Sequence, residues 1–86
     1  MSSTELTLYS REGCHLCDLA RDQLQTLENS FDFVLTETDI EQDHDLHVRL
    51  LERIPVLAVN GQEVLELEWD ADDVVEVLQR QGVNAT

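Results

Sequence analysis

The alternation and recurrence of apolar residues predict two strands and a helix in the first half of the chain. Apolar and polar residues alternate from Glu5 to Ser10, and a β-prone run extends from Phe31 to Ile40. Between them, from His15 to about Glu28, apolar residues recur every three or four positions, which predicts an amphipathic helix. Its predicted buried face consists of Leu16, Cys17, Ala20, Leu24 and Leu27. Because a helix joins the two strands, we expect them to be parallel.

The second half of the chain predicts a helix, a hairpin and a final helix. Leucines within Glu41–Glu52 indicate a shorter helix. Two β-type runs flank Asn60-Gly61, a dipeptide typical of a tight hairpin because both turn positions need positive φ. Asp70 is a predicted N-cap, and Gly82 is a natural stop for the last helix. That helix is expected to bury Val74, Val75 and Leu78. The predicted order is β-α-β-α-β-β-α, an α/β fold.

Length and charge narrow the class of protein. The chain has 86 residues, enough for a single domain over 1–86, and no apolar run approaches the roughly 18 residues of a membrane span. Its formal charge is −14 and it contains no lysine, so it would repel nucleic acids and anionic membranes. The first residues lack the basic and apolar regions of a secretory signal. We therefore expect a cytoplasmic protein that binds neither nucleic acids nor membranes. We also expect a monomer.

Two cysteines three positions apart open the first predicted helix. Cys14 lies at the helix N-terminus, where unpaired N–H groups and the helix dipole favour a thiolate. Cys17 faces the core, from where it could attack a mixed disulfide formed by Cys14. Position alone therefore predicts an exposed nucleophile followed by a buried resolving cysteine.

Other interpretations of the cysteine pair exist. A structural disulfide closing so short a loop constrains the unfolded chain little and rarely persists in a reducing compartment. Two inert buried thiols would explain Cys17 but not Cys14 in a polar loop. Zinc is the stronger alternative, because His15, His44 and His47 could join the cysteines. The spacing differs from that of a zinc finger, so we expect no metal and interpret His44 and His47 as solvated helix residues.

Three further side chains are candidates near the cysteines. His15 is either a solvent-facing residue of the first turn or an imidazole that stabilises the Cys14 thiolate. Arg11 and Arg53 are either ordinary surface residues or cations that offset the acidic background around a thiolate or bind a substrate carboxylate. Pro55 opens an apolar β-run, which is a permitted place for proline.

Together these motifs resemble the glutaredoxin branch of the thioredoxin superfamily, and in particular small bacterial glutaredoxin-like proteins. The resemblance runs from Leu8 to about Leu78 and rests on Tyr9–Cys17, Arg53–Leu57 and Asn60-Gly61, with Arg11 in place of the usual lysine. It implies a thioredoxin-like fold, with a four-stranded mixed sheet flanked by helices. It also implies that Pro55 is a cis-proline beside the cysteines and that Ile54 pairs with the substrate backbone.

The segment Leu67–Asp73 departs from the glutaredoxin pattern. It lacks the glycine pair and following acidic residue that bind glutathione in that family, and its carboxylates would repel an anionic ligand. We therefore expect no cofactor, with glutathione at most a disfavoured co-substrate.

The sequence thus predicts a thiol–disulfide oxidoreductase that acts on a disulfide-containing protein or small thiol. Its predicted residues are Cys14 and Cys17 for catalysis and Arg11, Arg53, Ile54 and Pro55 for substrate. His15 is the residue predicted to adjust the pKa of the Cys14 thiol. The competing hypothesis is a non-catalytic thioredoxin-fold module that binds a protein partner or a metal.

Overall fold

The computed structural model describes residues 4–86 and contains four strands and three α-helices within that range. In chain order these are β1 (Thr4–Ser10), α1 (His15–Leu27), β2 (Phe33–Asp39), α2 (His44–Leu50), β3 (Val56–Val59), β4 (Gln62–Glu66) and α3 (Ala71–Arg80). The predicted element order and the α/β class are therefore confirmed. No helix in the described range has the length and apolar character needed to cross a bilayer.

The strands form one mixed sheet in the order β2-β1-β3-β4. β1 and β2 are parallel, as the helical crossover predicts, whereas β3 is antiparallel to both β1 and β4. The β3–β4 turn is the predicted hairpin, with φ of +50° at Asn60 and +87° at Gly61. The Asn60 side chain also accepts a hydrogen bond from the N–H of Glu5 at 3.0 Å, which ties the turn to β1. This is the thioredoxin-like fold.

Two predicted elements have different bounds in the structure. The second strand starts at Phe33, and Phe31 makes only an isolated bridge to Ala85. The helix predicted over Glu41–Glu52 is divided into a 3₁₀ turn, Ile40–Gln42, and α2. Asp43 causes the division, because its carboxylate accepts the N–H groups of the first turn of α2 and its backbone is extended.

The predicted core is wrong at Leu16, whereas Leu27 and Val75 are partly buried and pack against the larger core cluster. Leu16 is 37% exposed, because the buried face of α1 follows Cys17, Ala20 and Leu24 and Leu16 lies to one side of it. In α3 the buried residues are Val74, Val77 and Leu78, whereas Val75 is only partly buried. The spacing i, i+3, i+4 places those three on one face.

The core consists of two clusters, and the smaller one contains the cysteine pair. The larger cluster joins β1 and β3 to α1 and α3 through apolar side chains that include Leu8, Leu24, Leu57 and Leu78. The smaller cluster packs Cys17 against Ile40, Leu50, Ile54 and Val56, with Cys14 partly buried at its border. These residues lie where β1 and β2 end and β3 begins, so the fold brings the cysteines to one end of the sheet.

The capping of α3 gives a test of this fold. Asp70 and Asp73 form a reciprocal capping box, each carboxylate accepting the other's backbone N–H, at 3.0 and 3.1 Å. Asp70→Ala should lower the free energy of unfolding in urea by about 1 kcal/mol. Asp72→Ala, in the same turn but outside the box, is the matched control. An equal loss in both variants would contradict the capping role.

Candidate active site

Cys14 and Cys17 are joined by a disulfide, with their Cα atoms 5.2 Å apart. Cys14 is the N-cap of α1, with extended backbone angles, and its Sγ accepts a hydrogen bond from the N–H of Cys17 at 3.2 Å. Gly13, at φ +82°, turns the loop into that cap conformation. The structure therefore places the Cys14 sulfur at the positive end of a 13-residue helix.

The two sulfurs have different environments. Cys17 is completely buried in the smaller core cluster, as predicted. Cys14 is partly buried rather than fully exposed, because it lies at the border of the same cluster. Only Cys14 is thus within reach of a partner from solvent, and a pair at disulfide distance in this arrangement fits a redox role.

The Ile54–Pro55 peptide bond is cis, as the resemblance implied. Ile54 and Val56 share the smaller cluster with both cysteines, so this segment lies against the disulfide. The N–H of Ile54 already donates to the carbonyl of Leu50 at 3.0 Å. The backbone group of Ile54 that is left for a substrate is therefore its carbonyl oxygen, which can accept a hydrogen bond from a substrate N–H.

Leu67, just after β4, holds the proline segment in place. Its N–H lies 3.0 Å from the carbonyl oxygen of Arg53 and 2.9 Å from that of Pro55. Its φ is +69°, an unusual value for a branched side chain that costs on the order of 1–3 kcal/mol. Nothing in the sequence indicates this conformation, since positive φ is expected of glycine or asparagine.

A charged network joins α1 to the sheet beside the cysteines. Arg21 donates to Glu37 at 2.6 Å and to Asp18 at 2.9 Å, and Ser10 donates to Glu37 at 2.6 Å. The hydrogen bonds from Arg21, and then that from Ser10, hold the pKa of Glu37 below its ordinary value of 4.5. The sequence places Asp18 on the same helix face as Arg21, but nothing in it brings Glu37, 16 residues away, to the same guanidinium.

The two candidate arginines differ in their partners. Arg53 forms ion pairs with Glu63 at 2.6 Å and Glu66 at 2.9 Å, which lower the pKa of Glu63. Arg11 is exposed and forms no ion pair with any residue of the described range. It lines a cavity of about 550 Å³ that also contains Asp18, Arg21 and Glu37. Arg11 is thus the one arginine of the described chain without an ion-pair partner, and it precedes Cys14 by three residues.

The three histidines do not come together. His15 is the exposed first residue of α1, next to Cys14 in sequence. His44 and His47 lie on α2 and line a separate cavity with Glu41 and Gln42. Between residues 4 and 86, no group of three or more potential metal-ligating side chains is arranged to hold an ion.

An apolar groove lies beside the disulfide. It is formed by Leu16, Leu19, Pro55, Leu67 and Trp69, with Ala20, Gln23 and Glu68 completing a cavity of about 60 Å³. Leu16, Leu19 and Leu67 are 37%, 47% and 46% exposed, which is high for leucine. Sequence analysis assigned Leu16 to the core and did not identify Leu19 or Leu67 as site residues.

Comparison with known proteins supports the assignment of the fold. The model of the glutaredoxin-like domain family (DUF836) matches residues 5–79. The X-ray structure of protein XcR50 from X. campestris is 32% identical, with a TM-score of 0.75 over 87% of this chain and 96% of its own. The solution structure of Ne2328 from Nitrosomonas europaea is 28% identical, with a TM-score of 0.75 over 90% of this chain and 93% of its own.

More distant structures share the fold alone. A mutant thioredoxin from Halobacterium salinarum is 19% identical, with a TM-score of 0.70 over 92% of this chain and 74% of its own. No functionally curated protein matches the sequence.

The Glu37 network predicts a specific pH dependence of stability. Because the folded pKa of Glu37 is depressed, its contribution is complete above pH 4.5 and is lost as the pH falls through the folded value. Glu37→Gln should therefore lower the free energy of unfolding by about 0.5–1 kcal/mol at pH 7, a value discounted for partial exposure. The difference from the wild type should shrink as the pH falls below 4.5.

Urea unfolding at a series of pH values measures this difference. Glu52→Gln is the control, since Glu52 is exposed between α2 and β3. A difference between Glu37→Gln and the wild type that stays constant down to pH 3 would contradict the network.

Proposed function

Because the chain belongs to the glutaredoxin-like domain family, we propose that it is a thiol–disulfide oxidoreductase that reduces disulfides with its Cys14–Cys17 pair. The observation that carries this proposal is the hydrogen bond from the N–H of Cys17 to the sulfur of Cys14. In the reduced protein the same N–H group and the start of α1 favour the Cys14 thiolate over the thiol. The thiolate is the form that attacks disulfides.

The first step of the proposed reaction takes place at Cys14. Its thiolate attacks one sulfur of the substrate disulfide, a Cys14–substrate disulfide forms, and the other substrate sulfur leaves as a thiolate. Pro55 and the carbonyl of Ile54 position the substrate backbone beside Cys14, because Ile54 packs in the same cluster as the cysteine pair and is joined to Pro55 by the cis peptide bond.

The second step takes place at Cys17. Its sulfur loses its proton and attacks the Cys14 sulfur, which releases the second substrate thiol and restores the Cys14–Cys17 disulfide. Two electrons pass from the protein to the substrate, and an external thiol reductant must return them. Complete burial of Cys17 disfavours its charged form, so Cys14 reacts first.

The local charges are compatible with a thiolate in a chain of net charge −14. Asp18, in the first turn of α1, would oppose a thiolate, but it is paired with Arg21. Glu37 is held by the same guanidinium. Arg11 lines the same cavity as Glu12, and neither has an ion-pair partner in the described chain. The proposed role of Arg11 is to offset the acidic groups around the thiolate or to bind a substrate carboxylate.

The proposed substrate is a disulfide of a protein or of a small thiol, reduced in a reducing compartment such as the cytoplasm. Glutathione is a poor candidate for tight binding. The segment after β4 carries the bulky Leu67 and the acids Glu68, Asp70 and Asp72, and no cation is paired with these acids in the described chain.

Trapping distinguishes the two cysteine roles. Cys17→Ser should form a stable mixed disulfide with a disulfide substrate, because Cys14 still attacks but nothing resolves the product. Cys14→Ser is the matched control. It should form at least tenfold less mixed disulfide, because the remaining thiol, that of Cys17, is buried. Mass spectrometry of the intact protein after incubation with hydroxyethyl disulfide measures both. Equal trapping in the two variants would refute the assigned roles.

The role of His15 is tested in the Cys17→Ser background. If the imidazole stabilises the thiolate, His15→Ala raises the pKa of Cys14, which is the result that we expect. The pH dependence of Cys14 alkylation by iodoacetamide gives that pKa, and His44→Ala on α2 is the control. An unchanged pKa in His15→Ala would leave His15 as a surface residue only.

A further inference from the structure

Apart from Pro55, the residues of the apolar groove take no part in the two chemical steps above. Three exposed leucines and a proline surround a small cavity within contact of the redox segment: Leu16 lies between the two cysteines in sequence, and Pro55 follows Ile54. Elsewhere in the described chain, the large exposed apolar residues are Val34, Val48 and Leu51, none of which lines this cavity. Clustered exposed apolar residues indicate an interaction site.

Leu67 is the most informative residue of the groove. A glycine would adopt φ +69° without strain, yet this position carries a leucine whose side chain is 46% exposed and contributes nothing to the buried core. Its N–H bonds to Arg53 and Pro55 need only a backbone, so they do not explain the side chain. Strained residues of this kind cluster at functional sites.

One carboxylate lines the groove, and three more follow it closely in the chain. Glu68 lines the cavity, and Asp70, Asp72 and Asp73 follow it at the start of α3. None of these four carboxylates is paired with a cation in residues 4–86. An occupant with a positive charge next to an apolar group would complement both features, whereas an anionic one would be repelled.

Two buried polar atoms also belong to residues of this groove. The indole N–H of Trp69 and the amide oxygen of Gln23 have no hydrogen-bond partner in the described chain. Both atoms are shielded from solvent, and the amide nitrogen of Gln23 already donates to the carbonyl of Trp69 at 3.4 Å, so they do not define the occupant of the groove. A polypeptide occupant is favoured instead because Leu16 and Pro55 belong both to the groove and to the two segments that would meet a protein disulfide.

We propose that the groove binds a polypeptide segment with a bulky apolar side chain next to its cysteine and a basic residue beyond it, and that Leu67 sets this preference. The inference rests on the proposed oxidoreductase function, since it names the class of disulfide substrate that reaches Cys14. The apolar side chain contacts Leu16, Leu19 and Leu67, and the basic residue lies toward Glu68 and the start of α3.

The binding arm of the test uses no thiol chemistry. Two peptides of equal length are compared by Trp69 fluorescence, one with Leu-Ser-Arg and one with Gly-Ser-Glu, serine replacing the reactive cysteine in both. The wild-type protein should bind the first at least tenfold more tightly. Leu67→Gly and Leu19→Ala should each reduce that preference several-fold. Val48→Ala, at a helical residue outside the groove that is more exposed than either leucine, should leave it unchanged.

The kinetic arm uses the reduced protein with the corresponding Leu-Cys-Arg and Gly-Cys-Glu peptide disulfides, and with neutral hydroxyethyl disulfide as the reference. The ratio of the Leu-Cys-Arg rate to the reference rate should fall about tenfold in Leu67→Gly and stay constant in Val48→Ala. Thermal unfolding of each variant verifies that it is folded.

The outcomes separate the two proposals. No reaction of the wild type with hydroxyethyl disulfide would overturn the oxidoreductase function, while the serine peptides would still report on the groove. Equal binding of the two peptides by the wild type, or an unchanged preference in Leu67→Gly, would overturn the groove proposal. So would a dimer that Leu67→Gly dissociates and that the peptides do not displace, because a second copy would then be the occupant.

Discussion

The contact on which this site depends is the hydrogen bond from the N–H of Cys17 to the sulfur of Cys14 at 3.2 Å. It makes the reactive sulfur the N-cap of α1, so the helix that packs the core also sets the electrostatics of the thiol. The helix keeps this position because its buried face, through Ala20 and Leu24, belongs to the larger core cluster. Arg21 adds a second attachment through Glu37 on β2. The chemistry of Cys14 is therefore coupled to the packing of the whole domain.

A second constraint acts on the cis-proline segment. The N–H of Leu67 donates to the carbonyls of Arg53 and Pro55, and this joins the end of β4 to the cis-proline segment. The same arrangement requires positive φ at Leu67 and projects an exposed leucine beside Pro55. Backbone strain and apolar exposure, both unfavourable for stability alone, thus coincide at one residue next to the redox pair. That coincidence is why the groove is interpreted as functional.

Local patterns predicted most of the fold, because the hairpin dipeptide, the Asp70 cap and the helical periodicity act over a few residues. The same patterns located Cys14 at a helix start and Cys17 in the core. They failed where the outcome depends on which face of a helix meets the sheet, as at Leu16. They could not find contacts between distant segments.

Three features of the site illustrate that limit. The pairing of Arg21 with Glu37 arises only when α1 packs over β2. The hydrogen bond from the N–H of Ile54 to the carbonyl of Leu50 depends on where α2 ends. Positive φ at Leu67 contradicts the local preference of leucine and is imposed by its two carbonyl partners. In each case tertiary structure determines a property that the residue type does not encode.

The reduction potential of the Cys14–Cys17 pair tests the central claim most directly, because it separates a redox couple from a structural disulfide. Equilibration of the full chain in glutathione redox buffers, followed by acid quenching and alkylation of free thiols, gives that potential. A thiolate stabilised at the start of α1 predicts reversible reduction at about −120 to −270 mV, the range of thioredoxin-fold oxidoreductases. A pair that is not reduced reversibly, or whose potential lies below about −300 mV as in structural disulfides, would contradict the account.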